Sequence, residues 1–180
     1  MKLYIKRIEQ YPPTATVCDV GCGSGTVLHM LPAFKQALCI DNSESMLQVA
    51  SAYRPTRNII ALKRNMQDLW GIPSHFCDVT VMNSALHYLT DLQAVARSVT
   101  EMRRVARSVI YIFDIRYVAN ERKYVQDRQR HGLAHSDPHL SIPPSWWTSR
   151  GWKVVTSNEL HITKDVYYNA PYSYSAFWRR

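Results

Sequence analysis

Short apolar runs alternate with amphipathic stretches along the first two thirds of the chain. Val17, Cys18 and Val20 form the first run, Ala37 to Ile40 the second, Asn58 to Lys63 the third, Phe76 to Met82 the fourth and Ser108 to Asp114 the fifth. Runs of this length, bounded by Gly, Pro, Asn or Asp, predict buried strands. Between them the apolar positions change to helical spacing. One helix is predicted from Gly25 to about Phe34, its last turn cut by Pro32. A second is capped by Asn42, Ser43 and Glu44 and runs to about Tyr53, with Met46, Leu47 and Ala50 on its inner face. A third runs from Asp91 to about Arg107. Strand and helix in alternation specify an α/β domain around a parallel sheet.

The rhythm breaks after the fifth strand. Residues 116–144 are polar and rich in His, Arg and Tyr, with a helical patch near Asn120 to Arg130 followed by HGLAHSDPHL. A long insertion at the C-terminal end of a strand is usually functional, and this one reads as a substrate lid. Pro143, Pro144 and Ser145 then start a helix through Trp146, Trp147 and Arg150. Lys153 to Ser157, extending towards Ile162, and Tyr172 to Trp178 are the last two expected strands. At the other end, Leu3, Tyr4, Ile5, Ile8 and Tyr11 form a helix-like stripe closed by Pro12 and Pro13, so residues 1–13 read as a short helical segment.

The chemistry is concentrated in Thr16 to Leu28, TVCDVGCGSGTVL. A buried strand strikes Gly21, Gly23 and Gly25 and passes into a helix, so the backbone turns sharply and a ligand can approach it closely. Amides at the turn and helix start would face a polar or anionic ligand group. Asp41 ends the second strand 20 residues after Gly21. This is where a carboxylate accepts hydrogen bonds from a ribose diol.

DVGCGSGT followed by CIDNSESML resembles the first two motifs of the class I S-adenosylmethionine-dependent methyltransferases, with Asp19, Gly21, Gly23 and Gly25 on the D-x-G-x-G-x-G pattern. NMQDLW at Asn65 to Trp70 is similar to the adenine-contacting segment, and FCDVTVMNSALHYLTD from Phe76 to the fourth strand and following helix. Gly151 and Trp152 resemble the turn before the sixth strand. The likeness runs from about Thr16 to Ile115, with a weaker echo beyond. It implies a Rossmann-like, doubly wound, mostly parallel seven-stranded sheet in the order 3-2-1-4-5-7-6, its last strand antiparallel. It also implies S-adenosyl-L-methionine as cofactor, held by Asp19, Gly21, Cys22, Gly23, Gly25, Asp41, Asn42, Met46, Asn65, Met66, Gln67, Asn83 and Ser84. Asn65 departs from the family's usual aspartate, although an amide carbonyl can accept from the adenine amine. Asp68 has a second reading, as a turn residue capping Leu69 and Trp70. Met46 and Met66 would sandwich the adenine. In many relatives the N-terminal segment folds over the cofactor, which makes Tyr4 and Tyr11 lid candidates; an amphipathic helix on the sheet edge is the alternative.

Methyl transfer from a sulfonium is chiefly a matter of positioning, and a base is needed only when the acceptor must lose a proton. His87, His131, His135, His139 and Asp137 are the candidate bases, with His87 and His135 foremost. The four-residue recurrence of His131, His135 and His139 would suit a metal on a helix, but Gly132, Ser136 and Pro138 oppose a regular helix. No metal is expected.

Length and charge refine the picture. At 180 residues a single domain spanning 1–180 is expected. No apolar run reaches membrane-span length and MKLYIKRIEQ lacks a signal-peptide core, so a cytoplasmic protein without membrane contact is expected. Cys18, Cys22, Cys39 and Cys77 read as reduced core thiols. The net charge of +8 gathers at Arg97, Arg103, Arg104 and Arg107, at Arg122, Lys123, Arg128 and Arg130, and at Arg179 and Arg180. No basic tail or aromatic-interleaved stripe accompanies it along the sequence, so nucleic acid is the less favoured partner. The leading reading is methylation of an oxygen, nitrogen or carbon of a small-molecule metabolite. RNA methylation is second; NSAL stands after strand four where methylators of base nitrogens often carry N-P-P-Y. A catalytically silent cofactor-binding module serving a partner is third. Neither the acceptor nor the oligomeric state follows from the residues.

Overall fold

The computed structural model describes residues 11–31, 33–53, 58–117, 125–126, 129–130, 140–156 and 173–180. Tyr4, most of the expected lid with His131, His135, Asp137 and His139, and any continuation of strand six past Thr156 lie outside them.

The strands are β1 (Thr16–Val20), β2 (Gln36–Asp41), β3 (Ile59–Lys63), β4 (Cys77–Asn83), β5 (Ala106–Arg116), β6 (Lys153–Thr156) and β7 (Ser173–Arg179). They form one sheet ordered β3-β2-β1-β4-β5-β7-β6. β7 runs antiparallel to both its neighbours, and the pairs among β1 to β5 are parallel. The expected order and the antiparallel last strand are both present. The helices are α1 (Thr26–Met30), α2 (Glu44–Tyr53), α3 (Leu92–Val105) and α4 (Pro144–Thr148).

Two apolar layers sandwich the sheet, and β5 shows why. Its Ile110 and Ile112 face one layer with Val95, Val99 and Met102 of α3 and Trp147 of α4. Val109, Tyr111 and Phe113 face the other with Leu28, Leu47 and Ala50 of α1 and α2. Alternate side chains of a strand point to opposite faces, so a strand buried on both sides reads as a continuous apolar run. Tyr11 packs against the second layer, and the rest of the expected N-terminal helical segment, residues 1–10, lies outside the described residues. No helix among the described residues is long and apolar enough to cross a membrane.

Several boundaries and contacts differ from expectation. The first helix stops at Met30 because Leu31 is extended (φ −69°, ψ 137°), the conformation a following proline favours. α3 ends at Val105 and β5 begins at once, which puts Arg107 on a strand. Leu47 and Ala50 are buried as expected, but Met46 is 47% exposed. The cysteines are not reduced thiols: Cys18 pairs with Cys77 and Cys22 with Cys39, at Cα separations of 5.8 and 5.4 Å. Sheet adjacency explains this. β1 lies between β2 and β4, and the Cys22 amide donates to Ile40 O, beside Cys39.

α3 also anchors the loop between β3 and β4. Arg104 donates to Ile72 O (2.7 Å), Leu69 O (3.0 Å) and both Glu101 oxygens (2.8 Å each), while Glu101 accepts from Leu69 N (2.9 Å). The Arg104 guanidinium holds the Glu101 carboxyl below the usual carboxylate range. Arg104→Met removes charge-assisted bonds to two loop carbonyls, and urea titration is expected to show a loss of about 1–3 kcal/mol.

Candidate active site

The C-terminal tips of β1, β2 and β4 converge on a cavity of about 720 Å³. It forms where the chain order reverses between β1 and β4, the crevice position of an open α/β sheet. Its floor is the glycine turn. Gly21 and Cys22 donate to Ile40 O at 2.7 and 3.0 Å, and Gly25 N donates to Cys22 O at 2.9 Å. Gly21, Gly23 and Gly25 all have left-handed φ, at 73°, 52° and 78°. A Cβ on Gly21 would lie 2.6 Å from Ala85 Cβ, so the close packing of the glycine turn against the second residue after β4 requires glycine there.

Asp41 braces this floor. Its Oδ2 accepts from Gly23 N and its Oδ1 from Ser43 N, both at 2.9 Å, tying the glycine turn to the start of α2. A carboxylate has further lone pairs to offer, so these bonds leave it able to accept from a ligand hydroxyl. Asp19 is different. It is only 1% exposed, and neither carboxylate oxygen has a hydrogen-bond partner among the described residues. Burial, and then the neighbouring Asp41 charge, push its pKa up to about 7. A buried, unpartnered carboxylate in a cavity wall calls for a donor from outside the chain.

Every residue assigned to the cofactor from sequence, except Gly25, lines this cavity. Gly25 sits just behind as the α1 N-cap, where a Cβ would press His29 and Ala50. Asn65 Oδ1 accepts from Gln67 N at 2.9 Å, so its carbonyl already braces the turn. Gln67 Oε1 accepts from Arg97 Nη2 at 2.8 Å. Asp68 Oδ1 accepts from Trp70 N at 3.2 Å, the bond of a turn residue.

His87 does not line the cavity; Ala85, Tyr88, Leu89 and Thr90 do. Residues 86–88 form a 3₁₀ turn, in which positions three apart eclipse one another. Ala85 and Tyr88 therefore share the cavity face and His87 falls off it. Its carbonyl accepts from Leu140 N at 3.3 Å, and its ring packs on Tyr88 with centroids 4.4 Å apart. His135 lies outside the described residues.

Among the polar groups that the sequence reading left unassigned, Arg64 and Asp114 carry the most chemistry. Arg64 lines the cavity with its guanidinium 4.2 Å from the Trp70 ring centroid, where a neighbour from its own turn fixes it. Asp114, at the tip of β5, accepts from Ser84 Oγ at 2.7 Å. Ser84 and Asp114 both have left-handed φ, 53° and 54°, although neither is glycine. Strained backbone of this kind clusters at functional sites. The signal was present only as polar residues closing two apolar runs.

The family model for a methyltransferase domain matches residues 18–112 of this chain. A search of curated protein sequences gave no significant match. Among solved structures, the fold is shared with an S-adenosylmethionine-dependent methyltransferase from Aquifex aeolicus (TM-score 0.63, 18% identity, 97% of this chain and 87% of that one). It is shared with the YcgJ protein of Bacillus subtilis (TM-score 0.65, 17% identity, 99% and 93%). It is shared also with the small RNA methyltransferase HEN1 (TM-score 0.69, 15% identity, 99% and 24%). With the seven-stranded order, the glycine turn and the acid at the end of β2, the match over residues 18–112 places this chain in the class I methyltransferase family, whose cofactor is S-adenosylmethionine.

Proposed function

We propose that this methyltransferase modifies an oxygen, nitrogen or carbon of a small-molecule acceptor. The observation that carries the reading is one cavity wall joining Asp19, the glycine turn and Asp41 to Ser84, whose hydroxyl donates to Asp114. Its volume of about 720 Å³ lies in the range of small-molecule sites. The unpartnered Asp19 carboxylate fits the cofactor's ammonium group. Asp41 and Asn42 fit the ribose diol, Met46 and Met66 the adenine faces, and Asn65 and Gln67 its edge. Asn83 and Ser84 border the methionine end. The cofactor supplies a methyl group already activated by its sulfonium; these residues bind and orient it.

For an acceptor that must lose a proton, Ser84 and Asp114 are the polar couple at the strand tips. The Ser84 hydroxyl donates to Asp114, which leaves its lone pairs to receive a donor. RNA remains the second acceptor class, supported by the +8 charge and by a fold shared with an RNA methyltransferase.

Calorimetry with S-adenosylhomocysteine tests the cofactor assignment. Asp41→Ala should weaken binding by about 1.5–3 kcal/mol through lost charged hydrogen bonds, and unchanged affinity would remove Asp41 from the site. Release of S-adenosylhomocysteine can then be followed against panels of phenols, amines and RNA oligomers. Turnover with RNA alone would overturn the small-molecule reading.

A further inference from the structure

The far end of the sheet carries a second concentration of charge. Arg103 of α3 lies over the rings of Trp152 and Trp178 at 5.5 and 5.0 Å, Arg150 over Trp146 at 4.1 Å, and Arg180 over Trp178 at 5.8 Å. Arg103 Nη2 donates to Arg150 O at 3.1 Å, and Arg180 Nη1 to the His75 ring at 2.6 Å. These contacts join α3, the turn before β6, the end of β7 and the loop before β4 into one face.

Acids at this face are already engaged. Glu101 pairs with Arg104 at 2.8 Å and Asp78 with Arg107 at 2.6 Å. Among the described residues, Arg103, Arg150 and Arg180 have no carboxylate partner. Arg103 is the informative one. Among the described residues its Nε is buried with no hydrogen-bond partner, and burial pushes its pKa down. Packing alone does not favour a half-buried cation without a counter-charge.

We propose that this arginine–tryptophan face docks single-stranded nucleic acid, with Arg103, Arg150 and Arg180 holding backbone phosphates. The guanidinium fork matches phosphate and stacks on aromatic rings, so the indoles beneath hold the forks in place. An acidic protein fits less well, because protein interfaces bury an apolar centre. Here Trp146 and Trp152 are already buried under the guanidiniums, and what faces outward is charge. A duplex is read by a helix or ribbon entering its groove, whereas this face is the end of a sheet.

The face is separate from the cavity. Arg179 pairs with Val109 near the start of β5, and Arg180 N donates to Ser108 O. Ser108 and Asp114 are six residues apart along the same strand, or about 20 Å at the usual rise. It is therefore an anchor whose loss leaves cofactor binding intact, whichever acceptor the cavity takes.

The test is fluorescence anisotropy of a labelled oligouridine, longer than the roughly 4–16 nucleotides of a single-stranded site. It is titrated with the full chain from about 50 to 200 mM salt. Arg150→Gln/Arg180→Gln should weaken binding at least about tenfold and flatten the log–log salt slope by about 1.4, for two phosphate contacts at about 0.7 each. Lys35→Gln/Lys63→Gln removes as much charge from exposed positions just before β2 and at the end of β3 and should leave affinity within about twofold. Arg103→Lys keeps the charge but not the fork, so it should also weaken binding. S-adenosylhomocysteine affinity should hold in the double arginine variant, with the melting temperature lowered only by the lost ring and hydrogen-bond contacts of Arg150 and Arg180 and the chain still folded at the assay temperature. No binding at the lowest salt, an equal loss in the lysine control, or equal competition by polyglutamate would overturn the proposal.

Discussion

Replacing Asp19 with asparagine is expected to stabilise the cofactor-free protein at pH 8 and to weaken cofactor binding. Asp19 has its pKa pushed up to about 7 by burial and by Asp41, so above that pH the fold carries an ionised carboxylate with no partner among the described residues. Against an ordinary aspartate value near 3.9, holding that charge costs about 4 kcal/mol at pH 8. The sign follows from proton counting. Between about pH 4 and 7 the native state keeps a proton that the unfolded chain has released, so wild-type stability falls as pH rises through this window. The Asp19→Asn variant lacks that fall. Denaturation curves of the two proteins should nearly coincide near pH 4 and separate progressively up to about pH 7.

Binding should show the opposite sign. A cofactor ammonium favours the ionised carboxylate, so wild-type affinity should rise with pH, by up to about tenfold per unit, and level off near pH 7. S-adenosylhomocysteine titrations in buffers of different ionisation enthalpy would report the released proton directly. Asp19→Asn should lose about 10- to 100-fold in affinity at pH 8 and the Asp19 contribution to the pH profile, because a neutral amide cannot replace a charged acceptor. Equal stability of the two proteins at pH 8 would show that Asp19 does not carry this burden.

The glycine turn gives the second large effect, divided between folding and binding. At Gly21 an added Cβ meets Ala85 Cβ at 2.6 Å, with φ at +73°. Neither group is the flexible end of a long side chain, so Gly21→Ala should cost about 2–5 kcal/mol from overpacking plus left-handed strain. At Gly23 the φ is +52°, but no described residue lies within 4 Å of an added Cβ, and the residue lines the cavity. Gly23→Val should therefore cost only about 1–2 kcal/mol of stability. It should nonetheless abolish measurable cofactor binding, because the new side chain occupies space the ligand needs. Thermal melts paired with calorimetry separate the two cases. Strong binding by Gly23→Val would show that the ligand does not approach the turn.

Much of this architecture could be read along the chain, for a physical reason. Apolar runs such as Ala37 to Ile40 are continuous because central strands are buried on both faces, and α3 shows helical spacing because one stripe is buried. The glycine turn and Asp41 are equally legible, since a tight turn and an acid at a strand end are local requirements of the backbone. Boundaries were less so where neighbours compete. Leu31 is extended ahead of Pro32, and Arg107 joins β5 because α3 passes into strand without a loop.

What the sequence determined by itself is therefore the strand and helix order, the glycine turn with Asp41, and the family these motifs indicate. Tertiary structure decided what depends on which distant segments become neighbours. It set Cys18 beside Cys77 and Cys22 beside Cys39, turned His87 off the cavity while keeping its neighbour Tyr88 on it, where their position after the strand-four tip leads one to expect both, and brought Ser84 to Asp114 across two strands. It also interleaved Arg103, Arg150 and Arg180 with three tryptophans, a pattern absent from any single stretch of chain. A local pattern records which face of an element is buried. The identity of the group across the gap is fixed only when the sheet order brings the two elements together.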